Sequence, residues 1–181
     1  KIGEKFDIII GNPPYVRVQT IPHKIIDWYK ENKKSAFKRI DLSILFIELS
    51  LNLFKPKGKI CFITSNQFFK AEYGRKIREI LIGKLVSNID FSDVVVFEGL
   101  SNYVSILTFE QTNKKHLLYS KIKKISNGFS IKKWIKFDYD KFNGDPWDFN
   151  ENQSLKEKMY KDSETLNTIA DFTYGLITGL D

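Results

Sequence analysis

FDIIIGNPPYVRV, residues 6–18, joins a short apolar run to a proline-rich turn. Its opening, FDIII, is a short and almost continuous apolar run, which is typical of a buried parallel strand covered on both faces. Gly11 then allows the backbone to leave the strand. Pro13 and Pro14 prevent further ladder or helix hydrogen bonding, because proline has no backbone N–H. The pattern therefore predicts a strand over residues 6–10 that ends in a rigid loop.

The composition indicates a globular protein with a basic surface. The 181 residues are 42% hydrophobic and 14% aromatic, which is enough for a proper core. The net charge of +7 and the isoelectric point near 9.3 favour a polyanionic partner. A single cysteine excludes an internal disulfide framework and suits a reducing compartment, so a cytoplasmic location is expected. No apolar stretch approaches the length of a membrane span, and no signal peptide is visible.

The following residues alternate between strand and helix patterns. The clearest is an apolar helix over residues 41–54, with Asp41 as its N-cap and Pro56 and Gly58 as its terminators. A short helix or irregular segment is expected at 24–35 and a strand at 59–66. A helix is expected at 70–83, with five exposed residues: Lys70, Arg75, Lys76, Arg78 and Glu79. An antiparallel pair of strands is expected at 86–96 and 103–110. This order is that of the second half of a doubly wound α/β sheet that ends in a hairpin.

Two loops are expected at the same edge of this sheet. The NPPY loop leaves the first strand, and the TSNQFF loop leaves the strand at 59–66. Ligands of open α/β sheets bind beside the carboxyl ends of the parallel strands. The loop starting at Asn12 is thus interpreted as a small, rigid polar site that holds a flat substrate. The alternative is a tight loop in which Tyr15 is a packing residue.

Three segments resemble, in order and spacing, the amino-methyltransferases that modify N6 of adenine in DNA. They are FDIIIGNPPYVRV (6–18), DLSILFIELSLNLFKPKGKICFITSNQFF (41–69) and VVFEGLSNYVSILTF (95–109), and the nearest likeness is to the TaqI-like class of restriction-modification systems. That family has a seven-stranded Rossmann-like sheet with a reversed last strand. The resemblance therefore implies an α/β fold, the C-terminal half of a Rossmann-like sheet of an S-adenosylmethionine (SAM)-dependent methyltransferase, with a short β extension.

The resemblance also implies a catalytic role for Asn12, Pro13, Pro14 and Tyr15. The exocyclic amine of adenine is a poor nucleophile, because its lone pair is delocalised into the ring. In the family, the side-chain carbonyl of Asn12 and the backbone carbonyl of Pro13 would accept the two amine hydrogens and free that lone pair. Proline suits this task because it fixes the direction of the carbonyl. No general base is assigned, because the amine proton becomes acidic once the nitrogen is methylated. Asp7 is near in sequence but is expected at the far end of the sheet.

Aromatic residues are expected to hold the flipped base and the cofactor. By resemblance, Tyr15 and Phe97 stack on the adenine, while Asn12 and Phe46 contact SAM. Stacking is worth about 1–3 kcal/mol per base, which offsets much of the cost of extruding the base. The alternatives are that Phe97 is a turn residue resting on the core and that Phe46 is an ordinary core residue.

Duplex DNA is the expected partner. Several basic residues follow the NPPY loop, namely Arg17, Lys24, Lys33 and Lys34. They would lie near phosphates of the target strand or, alternatively, belong to a solvated lysine-rich loop. Neither histidine lies in a cluster at metal-ligand spacing, so no metal site is expected. No membrane contact is expected either.

The glycine-rich loop that binds SAM in this family precedes NPPY, and no glycine pattern of that kind follows a strand here. The sequence is therefore interpreted as a fragment that carries the catalytic half of the domain. We expect it to be inactive alone and to have negligible affinity for SAM. The free edge of the strand at 6–10 is expected to be covered by self-association or by a rearranged tail.

Four segments are distinguished along the chain. Residues 1–112 form the catalytic half, and the basic segment 113–137 adds one or two strands that contact DNA or pack against the sheet edge. Residues 138–164 have the composition of a connector docked on the surface. Residues 165–181 resemble the start of a truncated target-recognition domain.

Two other functions remain open from the residues. The NPPY motif is shared with methyltransferases that act on a protein glutamine or on RNA. A DNA-binding module without enzymatic activity is a further possibility. The parent protein of a DNA methyltransferase would in turn be fused to, or paired with, a restriction endonuclease.

Overall fold

The described residues of the computed structural model alternate between strands and helices, continue through a β-rich segment and end in two helices. These residues are 4–14, 21–96, 103–111, 113–150, 152–161, 163–164 and 166–171. The strands are β1 (Phe6–Gly11), β2 (Phe54–Ser65), β3 (Leu85–Asp90), β4 (Val104–Glu110), β5 (His116–Ile125), β6 (Gly128–Ile131) and β7 (Ile135–Asp138). The helices are α1 (His23–Asn32), α2 (Leu42–Ser50), α3 (Arg75–Leu81), α4 (Gln153–Lys161) and α5 (Leu166–Ile169).

The strands form one mixed sheet in the order β1-β2-β4-β3-β5-β6, with β7 also paired to β5. β1 is parallel to β2, β4 is antiparallel to both β2 and β3, and β3 is parallel to β5. The carboxyl ends of β1, β2 and β3 consequently lie at the same edge of the sheet, and β5 runs in the same direction. The predicted α/β fold with a reversed strand is confirmed.

Helix α2 begins where the sequence predicts but ends earlier. The carboxylate of Asp41 accepts a hydrogen bond from the backbone N–H of Ser43 at 2.9 Å, which caps the helix. The prediction that Pro56 and Gly58 terminate this helix was wrong, because both lie inside β2. They fall in a bulge between the paired residues 54 and 59 of β2, where the ladder to β1 is interrupted and proline is tolerated.

Apolar residues cover both faces of the central strands. Ile60 and Phe62 of β2 and Leu107 of β4 belong to the main core, on the face that packs against α2 and α3. Ile106, the neighbour of Leu107, points to the opposite face and joins a smaller cluster built around Phe91. A third cluster joins α1 to α2. Burial on both faces explains the continuous apolar run ICFI in β2.

β1 departs from this pattern. It was expected to be covered on both faces, yet Ile8 and Ile10 are 66% and 78% exposed. β1 is the first strand in the sheet order, and only Ile9 packs against the main core. Asp7 pairs with Lys55 at 2.8 Å near the amino end of the strand, far from the carboxyl edge, as expected.

Residues 139–149 complete the main core. Trp147 is 1% exposed and stacks on Phe69 with ring centroids 5.6 Å apart, and Phe149 stacks on Tyr119 at 4.8 Å. The backbone N–H of Trp147 donates to the carbonyl of Phe69 at 2.8 Å. This stretch was expected to be part of a connector docked on the surface, whereas Tyr139 and Trp147 are buried and Phe142 and Phe149 are partly buried against the main core.

Arg78 is also placed differently from the expectation. It was predicted to be exposed on a helix over residues 70–83, but α3 starts only at Arg75 and Arg78 is 1% exposed. Its guanidinium donates two hydrogen bonds to the carbonyl of Gly144, at 3.0 and 2.8 Å, and others to the carbonyls of Phe68 and Ala71. Burial lowers the pKa of Arg78, and nearby Asp145 partly offsets that effect.

The chain divides into two compact units, Lys1–Phe149 and Asn150–Asp181. The first holds the whole sheet. The β extension at 113–137 was expected to add one or two strands, whereas three are present, and the last of them ends at Asp138. The second contains α4 and α5. Among the described residues, none of the helices has the length and apolar character needed to cross a membrane.

We expect Arg78→Met to lower the free energy of unfolding by about 3 kcal/mol, because it leaves buried carbonyls without donors. Arg75→Met, on the exposed first turn of the same helix, is the matched control, with an expected change below about 0.5 kcal/mol. Denaturant unfolding measures both. Equal stability of the two variants would show that the contacts of Arg78 with residues 139–149 are not needed to hold that segment.

Candidate functional site

The NPP segment lies at the carboxyl edge of the sheet, directly after β1. Asn12 is exposed, Pro13 is buried and Pro14 is half-buried. Pro13 therefore anchors the segment while Asn12 remains accessible. This arrangement presents polar acceptors on a stiff backbone at the edge where α/β sheets bind their ligands.

Gly11 allows β1 to approach β2 closely at this point. Gly11 pairs with Phe62 across the parallel ladder, and a Cβ atom on Gly11 would lie 3.0 Å from the Phe62 ring. A larger residue would have to displace that ring, which belongs to the main core. The position of Asn12 is thus set by a close contact between the backbone and an aromatic ring.

Asn66 forms hydrogen bonds with residues near the ends of the neighbouring strands. It comes directly after β2, and its side-chain amide donates to Asp90 Oδ1 at 3.1 Å, to Ser92 Oγ at 3.3 Å and to Ser105 Oγ at 3.0 Å. Its backbone N–H donates to the carbonyl of Tyr103 at 3.0 Å. One side chain therefore links the ends of β2 and β3 to the start of β4.

Asp90 is the second centre of this network. Its Oδ1 accepts from the backbone N–H of Ser92 at 2.8 Å and from Ser92 Oγ at 2.6 Å, while its Oδ2 accepts from the hydroxyl of Tyr119 at 2.8 Å. Tyr119 lies on β5, so the network reaches across four strands. A carboxylate with this many donors is held firmly in one orientation.

Neither Asn66 nor Asp90 was singled out from the sequence, although Asn66 lies in the predicted TSNQFF loop. The signal that identifies them is a polar side chain immediately at the carboxyl end of an apolar strand. Sequence alone gives no reason to pair them, because 24 positions separate them and their contact depends on β4 lying between β2 and β3.

Phe46 projects differently from its neighbours on α2. Its exposed fraction is 43%, whereas Ile44 and Ile47 are 1% exposed and belong to the main core. Phe46 is therefore not a residue of the described core, which was one of the two alternatives. A half-exposed phenyl ring is available to stack on a flat ligand.

The other predicted site residues are placed as follows. Tyr15, Arg17 and Phe97 lie outside the described residues. Lys24 is exposed on α1, and Lys34 follows that helix with its backbone N–H bonded to Glu48 Oε1 at 3.1 Å. Lys33 is half-buried, with its ammonium 5.3 Å from the centre of the Trp28 ring.

Metal binding was also considered. The described residues contain no group of three or more histidine, cysteine, aspartate or glutamate side chains that could hold a metal ion.

Comparison with known proteins identifies the family. The model of the Eco57I restriction-modification methylase family matches residues 1–103, which is more than half of the chain. The chain belongs to this family. The resemblance to restriction-modification methyltransferases found in the sequence is thereby confirmed, and the matched region includes the NPP segment, α2, β2 and Asn66.

Curated relatives of the Eco57I-family chain are much longer proteins. It is 32% identical over 139 residues to the type II restriction enzyme and methyltransferase RM.Eco57I of Escherichia coli, covering 72% of the chain and 13% of the relative. It is 39% identical over 77 residues to the type II methyltransferase M.BstVI of Geobacillus stearothermophilus, covering 42% of the chain and 14% of the relative. The chain thus spans about one seventh of the length of these relatives.

Solved structures share the fold. The type IIL restriction-modification enzyme MmeI, in a complex with DNA, matches 72% of the chain and 18% of its own chain, with a TM-score of 0.53 and 14% identity. The type IIG restriction endonuclease BpuSI matches 74% of the chain and 19% of its own chain, with a TM-score of 0.52 and 21% identity. The methyltransferase subunit of the type I restriction-modification system from Streptococcus thermophilus matches 72% of the chain and 30% of its own chain, with a TM-score of 0.51 and 14% identity.

We expect Asn66→Ala to lower the free energy of unfolding by about 1–3 kcal/mol, because it removes the donor shared by Asp90, Ser92 and Ser105. Gln67→Ala is the matched control: no hydrogen bond of its side chain is seen within the described residues, so we expect a change below about 0.5 kcal/mol. Thermal or denaturant unfolding measures the difference. A loss no larger for Asn66→Ala than for the control would mean that this network contributes nothing to stability.

Proposed function

We propose that this chain supplies the target-base half of a site-specific DNA adenine-N6 methyltransferase, with SAM as the methyl donor. The observation that carries the proposal is the exposed Asn12 on a proline-anchored segment at the carboxyl edge of the sheet. Membership of the Eco57I restriction-modification methylase family supports it.

In the proposed mechanism the loop changes the nucleophilicity of the substrate amine. The Oδ1 atom of Asn12 and the backbone carbonyl of Pro13 accept the two hydrogens of the adenine N6 amine. These contacts favour a pyramidal nitrogen and free its lone pair. Once methylated, the nitrogen would lose its extra proton to solvent. Methylation makes that proton acidic, so no strong general base is needed.

The described residues fit one part of a SAM site. Bound SAM would supply the electrophilic methyl group. The half-exposed ring of Phe46 is available to stack on its adenine, and Asn12 is exposed beside the region where methyl transfer would occur. The sequence contains no glycine-rich turn after a strand that would hold the rest of the cofactor. The fragment is therefore proposed to be inactive alone.

The target adenine has to leave the duplex before it can reach Asn12. Tyr15 follows Pro14 directly in sequence, and the position of Phe97 in the sequence falls after β3 and before β4. We assign both to stacking on the extruded base, each contributing about 1–3 kcal/mol. Pro14 keeps the loop rigid while the base is bound.

Duplex DNA is the proposed partner, and restriction modification is the proposed context. The net charge of +7 suits a polyanion, and Arg17, Lys24, Lys33 and Lys34 are proposed to lie near its backbone. One relative, RM.Eco57I, is both a restriction enzyme and a methyltransferase, so fusion to or pairing with an endonuclease is proposed for the parent protein.

Methyl transfer by the full-length protein tests the reaction. Labelled SAM is offered with duplex DNA, RNA and protein in parallel, and we expect the label to appear in DNA as N6-methyladenine. Asn12→Ala is expected to lower the rate by about 10²–10³-fold while DNA binding is retained, because an acceptor at the reacting amine is lost. Asn32→Ala, whose exposed side chain donates to the carbonyl of Trp28, is the control and should leave the rate unchanged.

Other outcomes of that experiment would replace the proposal. Label on a protein glutamine or on RNA would support the second NPPY class, and label on cytosine would change the target base. DNA binding without any transfer would indicate a module without enzymatic activity. A full rate with Asn12→Ala would remove the proposed role of the loop.

We also propose that the isolated 181-residue chain covers the free edge of β1 by self-association or by a rearranged tail. Two observations support this: β1 is the edge strand of the sheet, and Ile8 and Ile10 are largely exposed. An exposed apolar edge strand tends to pair with another chain. We expect concentration-dependent association by sedimentation, with slow amide exchange at residues 8–10. A monomer with rapid exchange at these amides would contradict the proposal.

A further inference from the structure

The hairpin formed by β5 and β6 extends beyond the end of the sheet. Asp90, the last residue of β3, pairs with Lys121 of β5, and β5 continues to Ile125 before the chain turns back into β6. At 3.3 Å per residue, these four additional residues reach about 13 Å past the end of β3. We refer to residues 121–134 as the β5–β6 arm.

The base of the arm is fixed to the sheet. Asp93, in the segment after β3, pairs with Lys121 at 3.0 Å and with Lys132 at 3.9 Å. The backbone N–H of Lys132 donates to the carbonyl of Lys121 at 2.8 Å. The ring of Phe129 contacts the edge of Phe91, with centroids 6.0 Å apart. These contacts hold the arm in one orientation, which reduces the entropy lost when it binds a partner.

The tip of the arm is a tight turn. Ile125 pairs with Gly128, so only two residues connect the strands, and Gly128 has a φ angle of +121° that L side chains rarely adopt. The arm is therefore a narrow two-stranded ribbon with a small tip.

The charge of the arm has one sign. All its charged residues are lysines, at positions 121, 123, 124, 132 and 133. Lys123, Lys124 and Lys133 are exposed and form no ion pair with the described part of the chain, in contrast to the two lysines held by Asp93. An uncompensated cluster of this kind costs electrostatic free energy in the free protein, and a polyanion relieves it.

Lys123 and Lys124 lie on opposite faces of the ribbon. They are adjacent on β5, where consecutive side chains alternate, and they pair with Ser130 and Phe129 of β6 respectively. A flat anionic surface such as a lipid bilayer would contact only one of these faces. The major groove of duplex DNA is about 12 Å wide, admits a two-stranded ribbon, and has phosphates on both sides.

The arm lies at the same edge of the sheet as the NPP segment. β1 and β5 point in the same direction, and in the strand order three strands lie between them. At about 4.8 Å per strand, Asn12 and the arm are about 19 Å apart across the sheet. This distance corresponds to five or six base pairs of duplex at about 3.4 Å each, so one DNA molecule can reach both.

We propose that the β5–β6 arm lies in the major groove of duplex DNA beside the target base, with Lys123 and Lys124 facing phosphates on the two sides of the groove. The proposal rests on the proposed function, in that it assumes DNA as the substrate. The arm positions the duplex, and because its contacts are to phosphates it carries no sequence information by itself.

The experiment compares two double variants of the full-length protein that lose the same charge. Lys123→Gln with Lys124→Gln alters the arm. Lys5→Gln with Lys57→Gln alters two exposed lysines near the opposite, amino-terminal ends of β1 and β2. The dissociation constant for a duplex containing the target site is measured over a series of salt concentrations. We expect the arm variant to bind more weakly, with the slope of log K against log salt reduced by about 1 per lysine, and the control to bind like the wild type.

The outcomes separate this proposal from the proposed function. If the slope is unchanged in the arm variant, or falls equally in the control, the arm does not bind phosphates and the proposal is overturned, even when methyl transfer to adenine remains intact. If the wild-type protein methylates RNA or protein and not DNA, the proposed function fails instead. Vesicles containing an anionic lipid are measured in parallel, and a loss of binding confined to them would identify a membrane surface and overturn the assignment to DNA.

Discussion

The parallel pairing of β1 with β2 determines what lies at the carboxyl edge of the sheet. β2 forms ladders with β1 on one side and β4 on the other, and these ladders satisfy backbone groups that would be costly to leave unpaired in the core. Because Gly11 pairs with Phe62, Asn12 emerges beside the segment that follows β2. Shifting this register by one residue would turn the apolar residues of β1 to the opposite face and move the NPP segment away from its neighbours.

The reversed strand β4 allows polar residues from distant positions to meet. Since β4 lies between β2 and β3, Ser105 at its start sits between Asn66 and Asp90. The resulting network extends to Tyr119 on β5. Polar groups at the end of a buried sheet are tolerated when each has a partner, and such groups fix the loops that carry them more precisely than apolar packing does. A rigid edge of this kind suits the proposed site for an extruded base.

The segment that follows β7 belongs to the same compact unit as the sheet. Trp147 and Phe149 close the main core, and the guanidinium of Arg78 binds the carbonyl of Gly144 within that segment. The fold described for Lys1–Phe149 is therefore a single unit, in which the β5–β6 arm and the NPP segment are held on one sheet. Through that shared sheet the arm can orient a substrate relative to Asn12 without direct contact between them.

Sequence patterns were sufficient to predict the α/β class, the first two parallel strands, the cap at Asp41 and the antiparallel strand pair, because each follows from local periodicity or from residues with restricted backbone geometry. They also identified the NPPY motif and, by resemblance, the restriction-modification family. The folded chain alone revealed the early end of α2, the burial of Arg78 and Trp147, the exposure of Phe46 and Ile10, and the contact between Asn66 and Asp90. Burial and side-chain pairing depend on which strands become neighbours, and strand order is a long-range property that local sequence patterns do not encode.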